Sequence, residues 1–320
     1  MFGDLTWRPL TDKDAKASAD LLNAIETVDK IGENYPEEDT LTELVDPYAD
    51  LDRASLAAFD GDVMAGYMKV RFKPLAEEVH RVFLDGGVHP AYRRRGIGTT
   101  LVEAGMEAAK TLHALHHPTL KLAIDFHKAE HIAGLAELVR SRGFRPVRYF
   151  QRMERPLGDA IPSAVIPAGM RVEPWASRND EDFRSVRNAS YEDHWGAAPM
   201  PVDHWKNKIT NQTFQPDVSF LLRDAAGIPV GILVTMCWEA DTEATGVLDA
   251  HFMVIGTLRE HRKRGVASAL LAHALRAATD QGYARASLSV DSASPSGAPR
   301  IFAKAGFTAK MRYVRWALEV

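Results

Sequence analysis

Two stretches of this sequence combine arginines, glycines and the start of an apolar helix in an order suited to holding a polyanion. The first runs Val88-His89-Pro90-Ala91-Tyr92-Arg93-Arg94-Arg95-Gly96-Ile97-Gly98-Thr99. The second runs Thr257-Leu258-Arg259-Glu260-His261-Arg262-Lys263-Arg264-Gly265-Val266-Ala267-Ser268. Both reduce to Arg-x-x-Gly-x-(Gly/Ala). The first turn of a helix leaves backbone N–H groups unpaired and carries partial positive charge, so it favours an anion. Glycine there lets a phosphate approach the backbone, and arginines supply charge and donors. Neither stretch is followed by Gly-Lys-Ser/Thr, which excludes a Walker loop. The third glycine of a dinucleotide fingerprint is also missing.

On these residues the chain resembles the GNAT superfamily of acetyl-CoA-dependent N-acetyltransferases, whose motif (Gln/Arg)-x-x-Gly-x-(Gly/Ala) follows a strand and holds the CoA pyrophosphate. The resemblance covers nearly the whole chain in tandem, as in the two-domain, mycothiol synthase-like branch. It implies acetyl-CoA as co-substrate. The implied contacts are Val88, Arg93, Arg94, Arg95, Gly96, Ile97, Gly98 and Thr99 in the first copy. In the second they are Thr257, Arg262, Lys263, Arg264, Gly265, Val266, Ala267 and Ser268. The segment from Ser294 to Phe307 resembles the family's Asn-Pro-x-x-Ala-x-x-x-Tyr-x-x-x-Gly-Phe signature. Here Ser294 stands for Asn, and Phe302 for the Tyr that serves as acid. The corresponding residue of the first half is Val139.

Acetyl transfer to an amine needs a proton acceptor for the nucleophile and donors for the developing oxyanion. The family places a Glu or His base on the strand entering the motif. That position is His251 in the second half and Val82 in the first. An imidazole suits base work near neutral pH. Asp249, two residues earlier on the same strand, shares its face and could orient the ring. Asp85 is a weaker base candidate in the first half. Resemblance puts the acceptor against the loop Tyr191-Glu192-Asp193-His194-Trp195-Gly196 and Trp205, with Glu192, His194 and Trp195 as contacts. His251 stands where the mycothiol synthase-like branch is associated with Glu, so that branch's acceptor is not carried over. The histidines His113, His116 and His117 read as a solvated helix end, and no metal site is expected.

The elements needed to position these groups repeat. Leu5 to Leu10 and Met170 to Trp175 read as opening strands, each followed by an acidic helix start. Ser55–Phe59 and Val63–Val70 form a hairpin about Asp60-Gly61-Asp62, and Val218–Arg223 and Val230–Trp238 another about Asp224 to Gly227. His80–Val88 and Val247–Ile255 enter the motifs. Leu120–Phe126 and Ala286–Asp291 follow the motif helices. A helix from Ala129 to Ser141 ends at Gly143-Phe144, echoed by Gly306-Phe307, and Val147–Met153 closes the first half. Gly96 and Gly265 lie 169 residues apart, a domain-length repeat. The expected organisation is an N-terminal domain at 1–155, a proline-rich linker at 156–169 and a C-terminal domain at 170–320. Each domain is α/β (α+β), with a mixed, mostly antiparallel sheet flanked by helices.

Composition bounds the remainder. The 320 residues are 46% hydrophobic and 26% charged with net charge -4, ordinary globular material with no general affinity for nucleic acid. No apolar run is long enough for a bilayer, and none is expected to meet a membrane. The one cysteine, Cys237, sits in an apolar run and reads as a buried thiol in a reducing compartment. With no signal pattern in Met1 to Leu5, a cytoplasmic location is expected. The reading is an N-acyltransferase acting on a small-molecule amine, monomeric or homodimeric, with the second half catalytic. The alternative is a non-catalytic acyl-CoA-binding or sensing protein.

Overall fold

The computed structural model describes the chain except residues 1–4, 47–48, 73–75, 77, 159, 162, 164 and 197. The N-terminal Met1 to Asp4 and Pro162 of the expected linker therefore lie outside the described residues. The first half contains β1 (Thr6–Arg8), α1 (Ala15–Asp29), α2 (Glu37–Leu44), α3 (Leu51–Ala54), β2 (Ser55–Asp60) and β3 (Val63–Phe72). It continues with β4 (Val79–Val88), α4 (Ile97–His116), β5 (Lys121–Ala129), α5 (Leu135–Arg140) and β6 (Arg145–Pro156). The second half has β7 (Arg171–Pro174), α6 (Asp180–Ser190), α7 (Val202–Thr210), β8 (Phe220–Arg223), β9 (Pro229–Met236) and α8 (Glu239–Thr245). Then come β10 (Asp249–Thr257), α9 (Val266–Asp280), β11 (Arg285–Asp291), α10 (Ala298–Lys304) and β12 (Thr308–Glu319).

Two units form, and they do not follow chain order. Residues up to Tyr149 join Arg312–Val320 in one, and Phe150–Met311 make the other. The first unit's sheet runs β1-β2-β3-β4-β5-β12. Only the β4–β5 pairing is parallel. The second runs β7-β8-β9-β10-β11-β6, with only β10–β11 parallel. Each sheet is thus mixed and mostly antiparallel, with helices on its faces. The strand read as closing the first half, β6, pairs with β11, from Phe150↔Asp291 to Pro156↔Arg285. The last strand, β12, pairs with β5, from Tyr313↔Ala129 to Glu319↔Ala123. Alternation marks a strand but not the edge it joins, so the sequence could not reveal this exchange.

Each sheet carries a core on both faces. In the first unit, Ile97, Leu101, Val102, Ala109 and Leu112 of α4 recur at helical spacing and pack on Val82, Leu84, Ile124 and Trp316. Leu21 of α1 and Leu44 of α2 meet Tyr67 and Phe59. In the second unit α9 packs on Leu233, Phe252 and Leu288. Phe183 and Val186 of α6 and Trp205 of α7 pack with Val234, Met236 and Val254. Gly231 of β9 makes the first contact possible, since a Cβ there would lie 2.5 Å from Val266 Cγ1. The expected linker is partly structured: Leu157 enters the second core, and its N–H donates to the Ala284 carbonyl. The helix expected from Ala129 begins only at Leu135, because β5 continues through Ala129.

Two local readings change. His113 is not simply solvated: its Nδ1 lies 3.1 Å from Nδ1 of the fully buried His80. No group of three His, Cys, Asp or Glu that could hold a metal occurs among the described residues. Cys237 is half-buried rather than buried. Among the described residues no helix is long and apolar enough to cross a membrane.

The strand exchange has a testable consequence. Trp316 of β12 lies in the first unit's core, so Trp316→Ala should cost roughly 3–5 kcal/mol. Hydrogen exchange should lose protection first at β4 and β5. Earlier loss at β8–β10 would contradict the assignment of this strand.

Candidate active site

The two motif loops have the same backbone. After β4 and a short turn at Pro90–Tyr92, Arg93 is extended, Arg94 has φ +62° and Gly96 φ +84°, and α4 begins. After β10 and the turn Arg259–His261, Arg262 is extended, Lys263 has φ +61° and Gly265 φ +85°, and α9 begins. A side chain held in the left-handed region costs about 1–2 kcal/mol, so this conformation needs support. Alternation of this kind turns successive N–H groups towards one concavity, which suits an anion. No side chain caps either helix, so the first-turn N–H groups have no side-chain acceptor. A pyrophosphate fits such a cradle. A Cβ on Gly98 would meet only ordinary contacts at 3.4 and 3.5 Å, which is why alanine serves as Ala267 in the second copy.

The first arginine of each motif supports the loop. Arg93 makes two bonds to Asp29, at 2.7 and 2.8 Å, and a third to the Val88 carbonyl. Arg262 donates to both oxygens of Asp193, at 2.6 and 2.9 Å, and to the Ser190 and Thr257 carbonyls. Bidentate pairs of this kind leave few donors for a ligand. Arg94, Arg95, Lys263 and Arg264 are exposed beside the loops and keep their charge open to solvent. Ile97 and Val266 bury their side chains in the cores, so only their backbone N–H groups can serve a ligand. Thr99 and Ser268 sit in the first helical turns, and Val88 and Thr257 end the entering strands. Ser294 lies in the turn after β11, its hydroxyl 2.8 Å from that of Ser296.

The strand entering the second motif carries one extra residue. Phe252 pairs with Thr235 and Val254 with Val234, so Met253 is a bulge. Before it, Ala250 and Phe252 face the α9 core, which leaves Asp249 and His251 on the α6–α7 side. After it, Met253 and Val254 both meet the α6–α7 core. Parallel pairing with β11 stops at His251↔Ser287, so beyond this point β10 has no described ladder partner on its β11 side. Burial pushes the Tyr191 phenol pKa up.

A three-residue relay organises His251. Its Nδ1 lies 2.8 Å from Ser287 Oγ, and Ser287 Oγ donates to Asp249 Oδ2 at 2.7 Å. An ionised carboxylate only accepts, so the serine proton points to Asp249 and the serine oxygen accepts from Nδ1–H. The imidazole therefore carries its proton on Nδ1, and Nε2 presents a lone pair. No described residue bonds Nε2. Asp249 thus orients the ring through Ser287 and not directly. Asp249 also accepts from Arg285 at 3.1 Å and lies 3.6 Å from Arg152. Burial, with Arg152, Lys208 and Arg285 nearby, lowers the His251 pKa to about 4 against the pull of Asp249. The Trp238 ring crosses His251 edge-on at 5.5 Å.

The loop expected to meet the acceptor makes contacts of its own. Its Asp193 clamps Arg262, and His194 Nδ1 is 3.2 Å from the Trp195 carbonyl. Glu192 is exposed and Trp195 half-buried. No described contact joins Glu192 or His194 to His251. Trp205 is a core residue, 1% exposed, its indole N–H bonded to Asp180.

The acetyltransferase (GNAT) family model matches residues 21–132 and 181–307, three-quarters of the chain. The chain belongs to the GNAT acetyltransferase family. It is similar to the mycothiol acetyltransferase of Thermobispora bispora, 28% identical over 83% of this chain and 81% of that one. The mycothiol acetyltransferase of Salinispora tropica is 26% identical over 97% and 96%. In fold it resembles a GCN5-related N-acetyltransferase from Sphaerobacter thermophilus, TM-score 0.75 at 24% identity, covering 100% of this chain and 97% of that one. A tandem GNAT protein from the clavulanic acid biosynthesis pathway has TM-score 0.69 at 16% identity, covering 99% and 98%. The tandem layout and N-acetyltransferase class expected from the motifs are borne out.

The two GNAT units differ where chemistry would occur. β4 has no bulge: its register with β3 is unbroken from Val88↔Gly66 to Val82↔Phe72. Val82 consequently points into the α4 core, the face opposite the one His251 occupies in its own unit, and is not its counterpart in space. Asp85 lies on the α1–α2 face, with Lys128 at 3.2 Å and Lys69 and Arg71 at 3.9 Å. These cations hold its pKa well below the carboxylate range. Lys69 is also bonded to Glu43 of α2. A carboxylate so paired is a poor proton acceptor. Phe302 and Val139, at the family's acid position, are both core residues without a proton to give.

Burial of His251 predicts a titration near 4 rather than 6.5, observable by NMR of the imidazole. The unfolded chain then binds more protons between these values. The stability this group contributes is present above 6.5 and lost as pH falls through 4. A midpoint near 6.5 would contradict the described environment.

Proposed function

We propose that this protein transfers the acetyl group of acetyl-CoA to the amine of a small molecule, and that the second unit is catalytic with His251 as its base. The observation that carries this reading is the Asp249–Ser287–His251 relay, which leaves Nε2 unprotonated on the strand that enters a phosphate cradle. Bound acetyl-CoA supplies the acetyl group as a thioester, whose C–S bond breaks as the amide C–N bond forms. The cradle residues are the N–H groups around Lys263, Gly265 and Val266, with Ala267, Ser268 and the exposed Lys263 and Arg264 beside them. His251 Nε2 takes the amine proton, and Ser287 with Asp249 holds the ring for it. The bulge at Met253 frees backbone from the ladder, where an N–H can face a developing oxyanion. Phe302 provides no acid, so the departing thiolate takes its proton from solvent.

The likeness to mycothiol acetyltransferases supports a small-molecule acceptor. The first unit keeps the cradle, at Arg94, Gly96, Gly98 and Thr99, without an open base. We assign it CoA binding without turnover, the one part of the non-catalytic alternative that an observation favours.

Kinetics test the base. His251→Gln should lower kcat by about 10²–10⁴ with acetyl-CoA binding retained. Undiminished turnover would remove the assignment. Calorimetry tests the cradles: Gly265→Asp and Gly96→Asp should each abolish one CoA site by repelling phosphate and blocking the helix end. Loss of all turnover in Gly96→Asp alone would move catalysis to the first unit.

A further inference from the structure

Two cations on the helices facing His251, Lys208 of α7 and Arg187 of α6, pair with no carboxylate among the described residues. Lys208 of α7 is half-buried, and its ammonium makes no hydrogen bond or ion pair with any described residue. Its electrostatic neighbours are Arg187 and His251. Arg187 of α6 is bonded to Asn188 Oδ1 at 3.0 Å and the Ala198 carbonyl at 2.7 Å, and stacks on Tyr191 at 5.3 Å. None of these partners neutralises it. The other cations about His251 are matched, because Arg285 pairs with Glu154 and Asp249, and Arg152 lies within 3.6 Å of the same two carboxylates. A half-buried ammonium near a second cation has no counter-charge until an anion joins it. A hydrophobic core offers no reason to keep it, and Glu192, the carboxylate that sequence reasoning placed here, is exposed.

We infer that the acceptor amine of the second unit also bears an anionic group, a carboxylate or a phosphate, that binds Lys208. This rests on the transferase reading of the unit and specifies its substrate class. Arg187 supports the site by adding positive field from α6. The arrangement also links binding to the base. The charged groups facing His251 are Arg152 from β6, Asp249 from β10, Lys208 from α7 and Arg285 from β11. An anion on Lys208 cancels one of the three cations that disfavour imidazolium, so acceptor binding makes Nε2 more basic.

The test is calorimetry on the full chain saturated with CoA, which occupies the cradles and leaves the acceptor side to be read. Two matched pairs serve as probes: glucosamine 6-phosphate against glucosamine, and β-alanine against β-alaninamide. The expected result is at least about tenfold tighter binding of the anionic member in one pair, the pair identifying phosphate or carboxylate. In Lys208→Gln that ratio should fall to within about twofold of one, and Lys208→Arg should largely restore it. Lys208→Gln should also raise the His251 titration midpoint, which a merely structural loss would not do. Ratios near one for both pairs in the wild type, or an undiminished ratio in Lys208→Gln, would overturn the proposal. An intact ratio with no acetyl transfer to any probe would instead sink the transferase reading and leave the anion site standing.

Discussion

One extra residue in β10 sets the face on which His251 lies. A strand alternates faces strictly, so inserting Met253 turns the residues before it over relative to those after it. His251 thereby lies on the α6–α7 side, while β10 still delivers its end to the loop before α9. The same insertion interrupts the ladder with β9. β4, which lacks it, presents apolar Val82 and Leu84 to its motif helix and Asp85 to an ion-pair cluster. The two units thus share topology and loop backbone but differ in the strand that enters the motif.

The motif loops show how a strained backbone is kept. Arg94 and Lys263 adopt positive φ that L-residues avoid. The preceding arginine in each copy is clamped to a carboxylate from the helical layer, Asp29 at the end of α1 and Asp193 just past α6. These clamps tie the loops to the elements that wall the opposite side of the sheet. The motif's arginine therefore acts as much on the loop's shape as on its charge.

Charge matching separates the units further. In the first, Asp85 is surrounded by Lys69, Arg71 and Lys128, and Lys69 is shared with Glu43. In the second, the carboxylates Asp249 and Glu154 are engaged by Arg152 and Arg285, which leaves Lys208 and Arg187 uncompensated near a neutral imidazole. Internal neutralisation suits a binding or structural unit, whereas a field left open suits a ligand that completes it.

The sequence by itself determined the tandem arrangement, the two phosphate-type loops, the strand entering each and His251. Local spacing encodes these: Arg-x-x-Gly-x-(Gly/Ala) fixes a turn and a helix start, and alternation marks a strand. Tertiary structure decided the rest. Ser287 lies 36 residues from His251 and meets it only because β10 and β11 pair in parallel at that register. The exchange of β6 and β12 depends on which sheet edge each strand finds, and alternation is the same at either edge. Arg93 and Arg262 act as loop clamps because Asp29 and Asp193 are brought to them across 64 and 69 residues. Lys208 had no sequence signal at all, since the absence of a counter-ion is a property of three-dimensional neighbours and not of a residue.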